Sequence, residues 1–216
     1  MQALEKNEIQ PIKVRPHWIN ITFLVLTPLS VLIFLPIHAV YFGVTWGQIL
    51  FFVLTFSITN LSITSGYHRY FSHRSFQMKR WLEYVYVFVG AGAVQGSVLQ
   101  WCTDHRRHHA QVDTDNDPYS IQKGFWYAHF GWLMEASPRE EIFAPDLVRD
   151  PLLRFQHKYY GWIATFFGFV LPGLIGLAFG WGWGGLIFGG LLRVVVSHHT
   201  TFFVNSLAHV LGKQTY

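Results

Sequence analysis

The chain has 216 residues, one domain's worth of sequence, and is 51% hydrophobic but only 13% charged, about half the charged fraction of a typical soluble domain. A single cysteine, Cys102, excludes a disulfide framework and a thiolate zinc site, and the apolar content excludes disorder. The formal net charge of +4 could suggest nucleic acid, but the placement of the charges assigns it elsewhere, and twelve histidines in so uncharged a chain are the feature to explain.

From Pro16 to His68 no Asp, Glu, Lys or Arg occurs. A bilayer-crossing helix needs about 20 apolar residues, so this stretch predicts two spans, at roughly 18–42 and 48–67, with a turn near Gly43–Gly47. The segment Tyr84–Thr103 is also uncharged but carries Gly90, Gly92, Gly96, Gln95, Ser97 and Gln100. Crossing the membrane here would separate the histidines on its two sides, so it is expected to lie in the interface or only dip into the bilayer. A last uncharged stretch, Tyr159–Leu192, continues past Arg193 to Gly212. It predicts spans near 160–179 and 186–203, joined through Gly180-Trp-Gly-Trp-Gly-Gly185. Trp46, Trp181 and Trp183 then fall at an interfacial aromatic belt, and Arg193 is expected to face the protein interior because a lipid-facing charge is costly.

The expected fold class is therefore all-α, a polytopic membrane protein with four transmembrane helices in a single domain covering 1–216. Of the 16 Lys and Arg, 15 lie before Pro16, between Arg69 and Lys158, or at Lys213. With both ends and the central loop on one side, the positive-inside rule makes that side cytoplasmic. The basic balance then reflects topology and contact with anionic membrane lipid, with no nucleic-acid partner. The first fifteen residues show no cleavable signal.

The histidines cluster on that side. His68 and His73 form H-x4-H after the second span, His105, His108 and His109 form H-x2-H-H, and Asn205-Ser-Leu-Ala-His209 follows the fourth span. On a helix the triplet covers an arc of about 100°, so all three can face one metal region, and Asn205 and His209 share a face. His68 and His73 are about 140° apart on a regular helix, so they either flank a metal pair or sit where the helix unwinds. Neutral imidazole suits iron, zinc, copper or nickel. Asp104 adjoins His105, and Asp113, Asp115 and Asp117 follow the triplet, as carboxylates that orient metal-bound imidazoles would; a solvated loop is an equal reading of that acidic run. His17, His38 and His157 read as interface or packing residues, and His198 and His199 as polar helix contacts.

His68-Arg-Tyr-Phe-Ser-His73, Trp101-Cys-Thr-Asp-His105-Arg-Arg-His-His109 and Asn205-Ser-Leu-Ala-His209 resemble the histidine boxes of membrane fatty acid desaturases, most nearly the acyl-CoA Δ9 (stearoyl-CoA) branch. Asp115-Asn-Asp-Pro-Tyr119 and Gly124–Trp132 are similar to that branch too. The resemblance implies a four-helix anchor under a cytosolic cap holding two irons, which use O2 as co-substrate to place a cis double bond in a long acyl chain. It implies His68, His73, His105, His108, His109 and His209 as iron ligands, Asn205 and Asp104 as supporting residues, and Trp101 and Asp104 beside the acyl channel. A long-chain acyl thioester is the implied substrate, and ferredoxin, rubredoxin or a cytochrome b5-type protein the implied electron donor. An unactivated methylene resists side-chain acid–base chemistry, which agrees with a metal–oxygen oxidant.

The family pattern continues with another H-x2-H-H box, so the sequence ending at Tyr216 is expected to be C-terminally truncated, with iron binding weak or absent. Thr103 stands where animal members carry a coenzyme-A-binding Arg, which leaves lipid-linked chains or acyl carrier protein open as alternatives to acyl-CoA. Competing readings are a membrane di-iron hydroxylase of lipids or alkanes, and a non-catalytic membrane metal-binding protein.

Overall fold

A computed structural model describes residues 15–136 and 144–211. The basic residues expected at Lys6, Lys13, Arg139 and Lys213 lie outside them. Among the described residues, four helices are long and apolar enough to cross a membrane: α1 (Trp18–Tyr41), α2 (Trp46–Ser72), α7 (Tyr160–Ala178) and α8 (Leu186–Val210). Between them lie α3 (Arg80–Ala91), α4 (Val98–Ala110), a short α5 (Phe125–His129) and α6 (Pro151–Lys158). Two short strands, β1 (Arg15–Pro16) and β2 (Glu135–Ala136), pair antiparallel with Arg15 opposite Ala136.

The spans form where expected because uncharged sequence of this length can satisfy its backbone in lipid only as helix. Ile19, Leu32, Val40, Leu54 and Leu177 stay largely exposed on the protein surface, as lipid-facing side chains do. The first turn closes earlier than Gly47: Thr45 caps α2, accepting from the Gln48 amide while its own amide donates to Gln48 Oε1 at 2.9 Å, so Gly47 is already helical. At the second turn Gly180 and Gly182 take positive φ (72° and 53°), a conformation side chains resist. Trp46 and Trp183 are exposed as belt residues, whereas Trp181 packs on Phe51 and Phe179. The second and fourth helices run past the expected ends to Ser72 and Val210, and these extensions carry His68 and His209 out of the apolar stretch.

The ambiguous segment 84–103 is two helices rather than one span. α3 ends at Ala91, the chain turns through Gly92–Ser97, and α4 begins at Val98 with Ser97 Oγ accepting from the Gln100 amide. Gly96 (φ 100°) and Val94 (φ 56°) make the turn, and His198 of α8 donates from Nε2 to Ala93 O at 2.8 Å. A β-branched residue at positive φ is strained, and this polar tether from a transmembrane helix helps hold it. Both α3 and α4 pack on the last turns of α2, so the chain dips in and returns to the same end.

Above the spans, the apolar core of the cap gathers Tyr67, Phe71, Val87, Leu99, Cys102 and Leu153. Gln156 on α6 ties it together: its Nε2 donates to Tyr67 Oη at 3.0 Å and its Oε1 accepts from the Val98 amide at 3.1 Å. Asp146 accepts from Arg106 and Arg74, and Asp150 from Arg80, fastening the segment before α6 to α4, to the start of α3 and to the turn after α2. Burial disfavours the charged Asp146, but the two guanidiniums outweigh it and hold its carboxyl at about 2.

Transmembrane packing depends on small residues. The Gly176 and Gly185 backbones meet so closely that a Cβ on Gly176 would lie 2.4 Å from Gly185 Cα. Small residues let lipid-embedded helices approach in this way. Replacing Gly176 with Val should separate α7 from α8 and lower stability by about 1–3 kcal/mol, read as reduced resistance to unfolding in detergent; an unchanged unfolding midpoint would contradict the contact.

Candidate metal centre

The H-x4-H pair is brought together by a local change of helix type. From Ser62 to Ser72 α2 is π-helical, with the His73 amide donating to His68 O, five residues back. A π-helix brings i and i+5 onto one face, and such segments occur at functional sites. The 140° separation of a regular helix disappears: the two Nε2 atoms are 3.2 Å apart.

α4 completes the cluster. His73 Nε2 lies 2.9 Å from His105 Nε2, the His105 and His109 rings are 4.5 Å apart, and one ring nitrogen of each of His68, His73, His105 and His109 falls within 4.8 Å of the others. The triplet does not act as one unit. His105 and His109, four apart, share the face toward α2, while His108, at the other end of the arc, turns away toward α8. Its Nδ1 donates to both oxygens of Asp117 at 2.9 Å, and its ring is 5.6 Å from that of His209. Asp113, held at φ 57°, places Oδ1 3.7 Å from His209 Nδ1, and this buried oxygen has no hydrogen-bond partner among the described residues.

The donor chemistry fits metal ions. His73 Nε2 faces both His68 Nε2 and His105 Nε2, and several imidazole lone pairs aimed at one point repel unless a proton or cation sits among them. Protons are disfavoured there. Burial, then the neighbouring imidazoles, push His105 down to about 2, and the same causes lower His109. Neutral imidazole is the form that binds metal. At His108 the Nδ1 side is taken by Asp117, leaving Nε2 for a metal, as in carboxylate–histidine–metal arrangements, while the Asp113 carboxylate faces His209 Nδ1 at 3.7 Å. Four nitrogens therefore suit one ion, and His108 with His209 supply part of a second position.

These folded-state values lie below the ordinary 6.5, so the unfolded chain binds more protons as the pH falls. The contribution to stability is complete above about 6.5 and declines as the pH drops toward the lowered values. Acidification of the metal-free protein from pH 7 to 5 should lower its thermal midpoint in detergent; a rise would contradict the assignment of neutral imidazoles.

The remaining expected residues are distributed as follows. Trp101 stacks on His105 at 4.8 Å and borders the first cluster. The Asp104 carboxylate accepts from Gln100 Nε2 at 3.1 and 3.2 Å, and it is Asp117 that holds a histidine of the triplet. Asn205 stands half-buried one turn before His209 on α8. His17 caps α1, His38 accepts from Gln48 Nε2 at 3.0 Å, and His157 pairs with Ser97, all packing roles. Sequence reasoning missed His129. It donates from Nδ1 to Ser206 Oγ at 2.9 Å and accepts at Nε2 from His199 at 3.2 Å, remote in chain from either partner. It also left the acidic run undecided, although the Asp-x-x-x-Asp spacing 113–117 was its usable signal.

Residues 44–215 match the family model for fatty acid desaturases. The chain belongs to the fatty acid desaturase family. It is 41% identical over 171 residues to acyl-CoA desaturase 1 of Saccharomyces cerevisiae, covering 77% of this chain and 34% of that protein. It is 37% identical over 205 residues to the sn-1 stearoyl-lipid 9-desaturase of Anabaena variabilis, covering 93% and 71%. Against stearoyl-CoA desaturase 5 of Bos taurus it is 35% identical over 170 residues, covering 74% and 50%. The chain thus spans about a third of the length of its yeast relatives. As a desaturase-family chain with four apolar helices, it is an integral membrane protein whose histidine cluster suits metal binding.

Proposed function

We propose that this membrane desaturase is an oxygen-dependent di-iron enzyme that introduces a cis double bond, at Δ9, into a long-chain fatty acyl group. The observation that carries the reading is the meeting of four imidazole nitrogens from α2 and α4 within 4.8 Å, beside His108 and His209 with their carboxylates. Bound iron would supply the O2-derived oxidant that an unactivated methylene requires.

The chain's own residues would divide the remaining work. His68, His73, His105 and His109 would hold one ion, and His108 and His209 would hold the other, with Asp117 fixing the tautomer of His108 and the Asp113 carboxylate facing His209. Asn205, one turn from His209, would support the second position. Trp101 packs on His105 and would form the wall that sets one methylene pair beside the centre, with Asp104 nearby, since positioning is the protein's share of such chemistry. Lipid-borne substrate accounts for a site at the ends of membrane helices. Acyl-CoA is the proposed carrier; named relatives act on acyl-CoA or on stearoyl-lipid, so both belong in the assay. Ferredoxin, rubredoxin or cytochrome b5 would deliver electrons, and the positive-inside rule puts both ends and the cluster in the cytoplasm. We take 1–216 as one desaturase domain.

The test is expression of the complete reading frame in a desaturase-deficient host, followed by fatty acid analysis. New cis monoenes are expected, and hydroxylated acyl chains would instead indicate a hydroxylase. His108→Ala should abolish the product while membrane insertion is unchanged; undiminished monoene would refute the metal assignment.

A further inference from the structure

The second metal position carries an aromatic stack distinct from the Trp101 contact of the first cluster. The Tyr119 ring lies 4.4 Å from that of His108 at 29°, and Trp132 lies 5.0 Å beyond Tyr119. His108 and Tyr119 are buried, whereas Trp132 is only half-buried, so the stack leads from a candidate ligand toward the protein surface. Asp117 fixes its inner end, accepting from His108 Nδ1 and, at 3.1 Å, from the Tyr119 amide. The outer end is anchored on α1: Asn20 Nδ2 donates to Leu133 O at 2.8 Å and the His17 amide donates to Met134 O at 2.7 Å. Trp132 Nε1 is buried with no hydrogen-bond partner among the described residues.

We propose that Tyr119 and Trp132 are the electron-entry path to this centre, carrying electrons from a one-electron carrier protein docked over Trp132 to the metal held by His108. The proposal rests on the desaturase reading. That reaction converts a CH2–CH2 pair and one O2 into CH=CH and two waters, taking two protons and two electrons, the electrons coming singly from the reduced carrier, which is oxidised. Tunnelling weakens exponentially with distance, so two rings in near contact shorten the gap between a carrier docked over Trp132 and the buried His108 ligand. No discrete radical on either ring is required. The geometry also separates the traffic: acyl chain on the Trp101 side of the first cluster, electrons on the Tyr119 side of the second position.

The experiment uses the iron-loaded protein from its complete reading frame. Stopped-flow absorbance follows reduction of the ferric centre by reduced [2Fe–2S] ferredoxin or reduced cytochrome b5, and separately by dithionite. Trp132→Leu, which leaves His108 and its Asp117 partner untouched, should slow reduction by the carrier at least about tenfold with the dithionite rate unchanged. Tyr119→Leu should do the same, and Tyr119→Phe and Trp132→Phe, which keep a ring, should recover most of the rate. Equal carrier-driven rates in wild type and Trp132→Leu would overturn the path, as would an equal slowing with dithionite, which would make these residues structural supports. A wild-type protein with no dithionite-reducible iron would instead overturn the desaturase reading beneath it.

Discussion

Replacing His105 with alanine is expected to abolish both iron binding and monoene formation. His105 is the hub of the cluster: its Nε2 is 2.9 Å from His73 Nε2, its ring is 4.5 Å from those of His68 and His109, and Trp101 stacks on its other side. Removing it opens the cluster from the α4 side and takes away the imidazole held most firmly neutral. Loss of a residue that merely orients a ligand typically costs about 10–100-fold in affinity or activity. That is the scale expected for Asp117→Asn, and a ligand substitution should exceed it. Iron per chain and monoene yield are the measurements, with the thermal midpoint of the metal-free protein showing that the fold persists. His129→Ala is the control, since His129 pairs with Ser206 and His199 and not with the cluster. Retention of iron and product by His105→Ala, or their loss in His129→Ala alone, would refute the site.

Replacing Arg193 with methionine is expected to destabilise the membrane bundle by about 2–4 kcal/mol, the balance of two opposed terms. Arg193 is 1% exposed within α8. Its guanidinium donates to three carbonyls on three segments: Nε to Gly189 O at 2.7 Å, Nη1 to Gly92 O at 2.7 Å and Nη2 to Gly168 O at 2.8 Å. Gly168 and Gly189 lie in π-helical stretches of α7 and α8, where the regular ladder is interrupted. Methionine relieves the burial of a charge but strands acceptors in a region without water, at about 1–3 kcal/mol each. The second effect should win because three acceptors lose a donor together. Lysine, a compact ammonium without the planar fork, should fall between the two. Since Gly92 opens the turn that launches α4, iron affinity should decline alongside stability. Unfolding in detergent provides the readout, and a methionine variant as stable as wild type would refute the clamp.

How far the sequence was legible varied with the physics involved. Spans were readable because a run such as Pro16–His68, without charge, has few alternatives in or out of lipid. The dip at 84–103 was readable because its glycines and polar residues argue against a simple span, and the structure breaks it at Gly92–Ser97. The six box histidines were readable by type and spacing. The helix type beneath His68 and His73 was not: spacing left the choice between a flanked pair and an unwound helix, and only packing of α3 and α4 against Ser62–Ser72 fixes the π geometry. The acidic run was equally undecidable, because a solvated Asp and one bonded to His108 read alike in sequence.

By itself, the sequence determined the apolar spans, the end of them at which the histidines gather and the family resemblance, because hydrophobicity and motif spacing are local properties of the chain. The tertiary structure decided the partition of those histidines: His68, His73, His105 and His109 in one cluster, His108 beside His209 with Asp117 and Asp113 behind them. It also decided the partners of His129 and Arg193. These outcomes depend on contacts between residues up to a hundred positions apart, where side-chain direction on packed helices, not spacing along one helix, determines which groups meet.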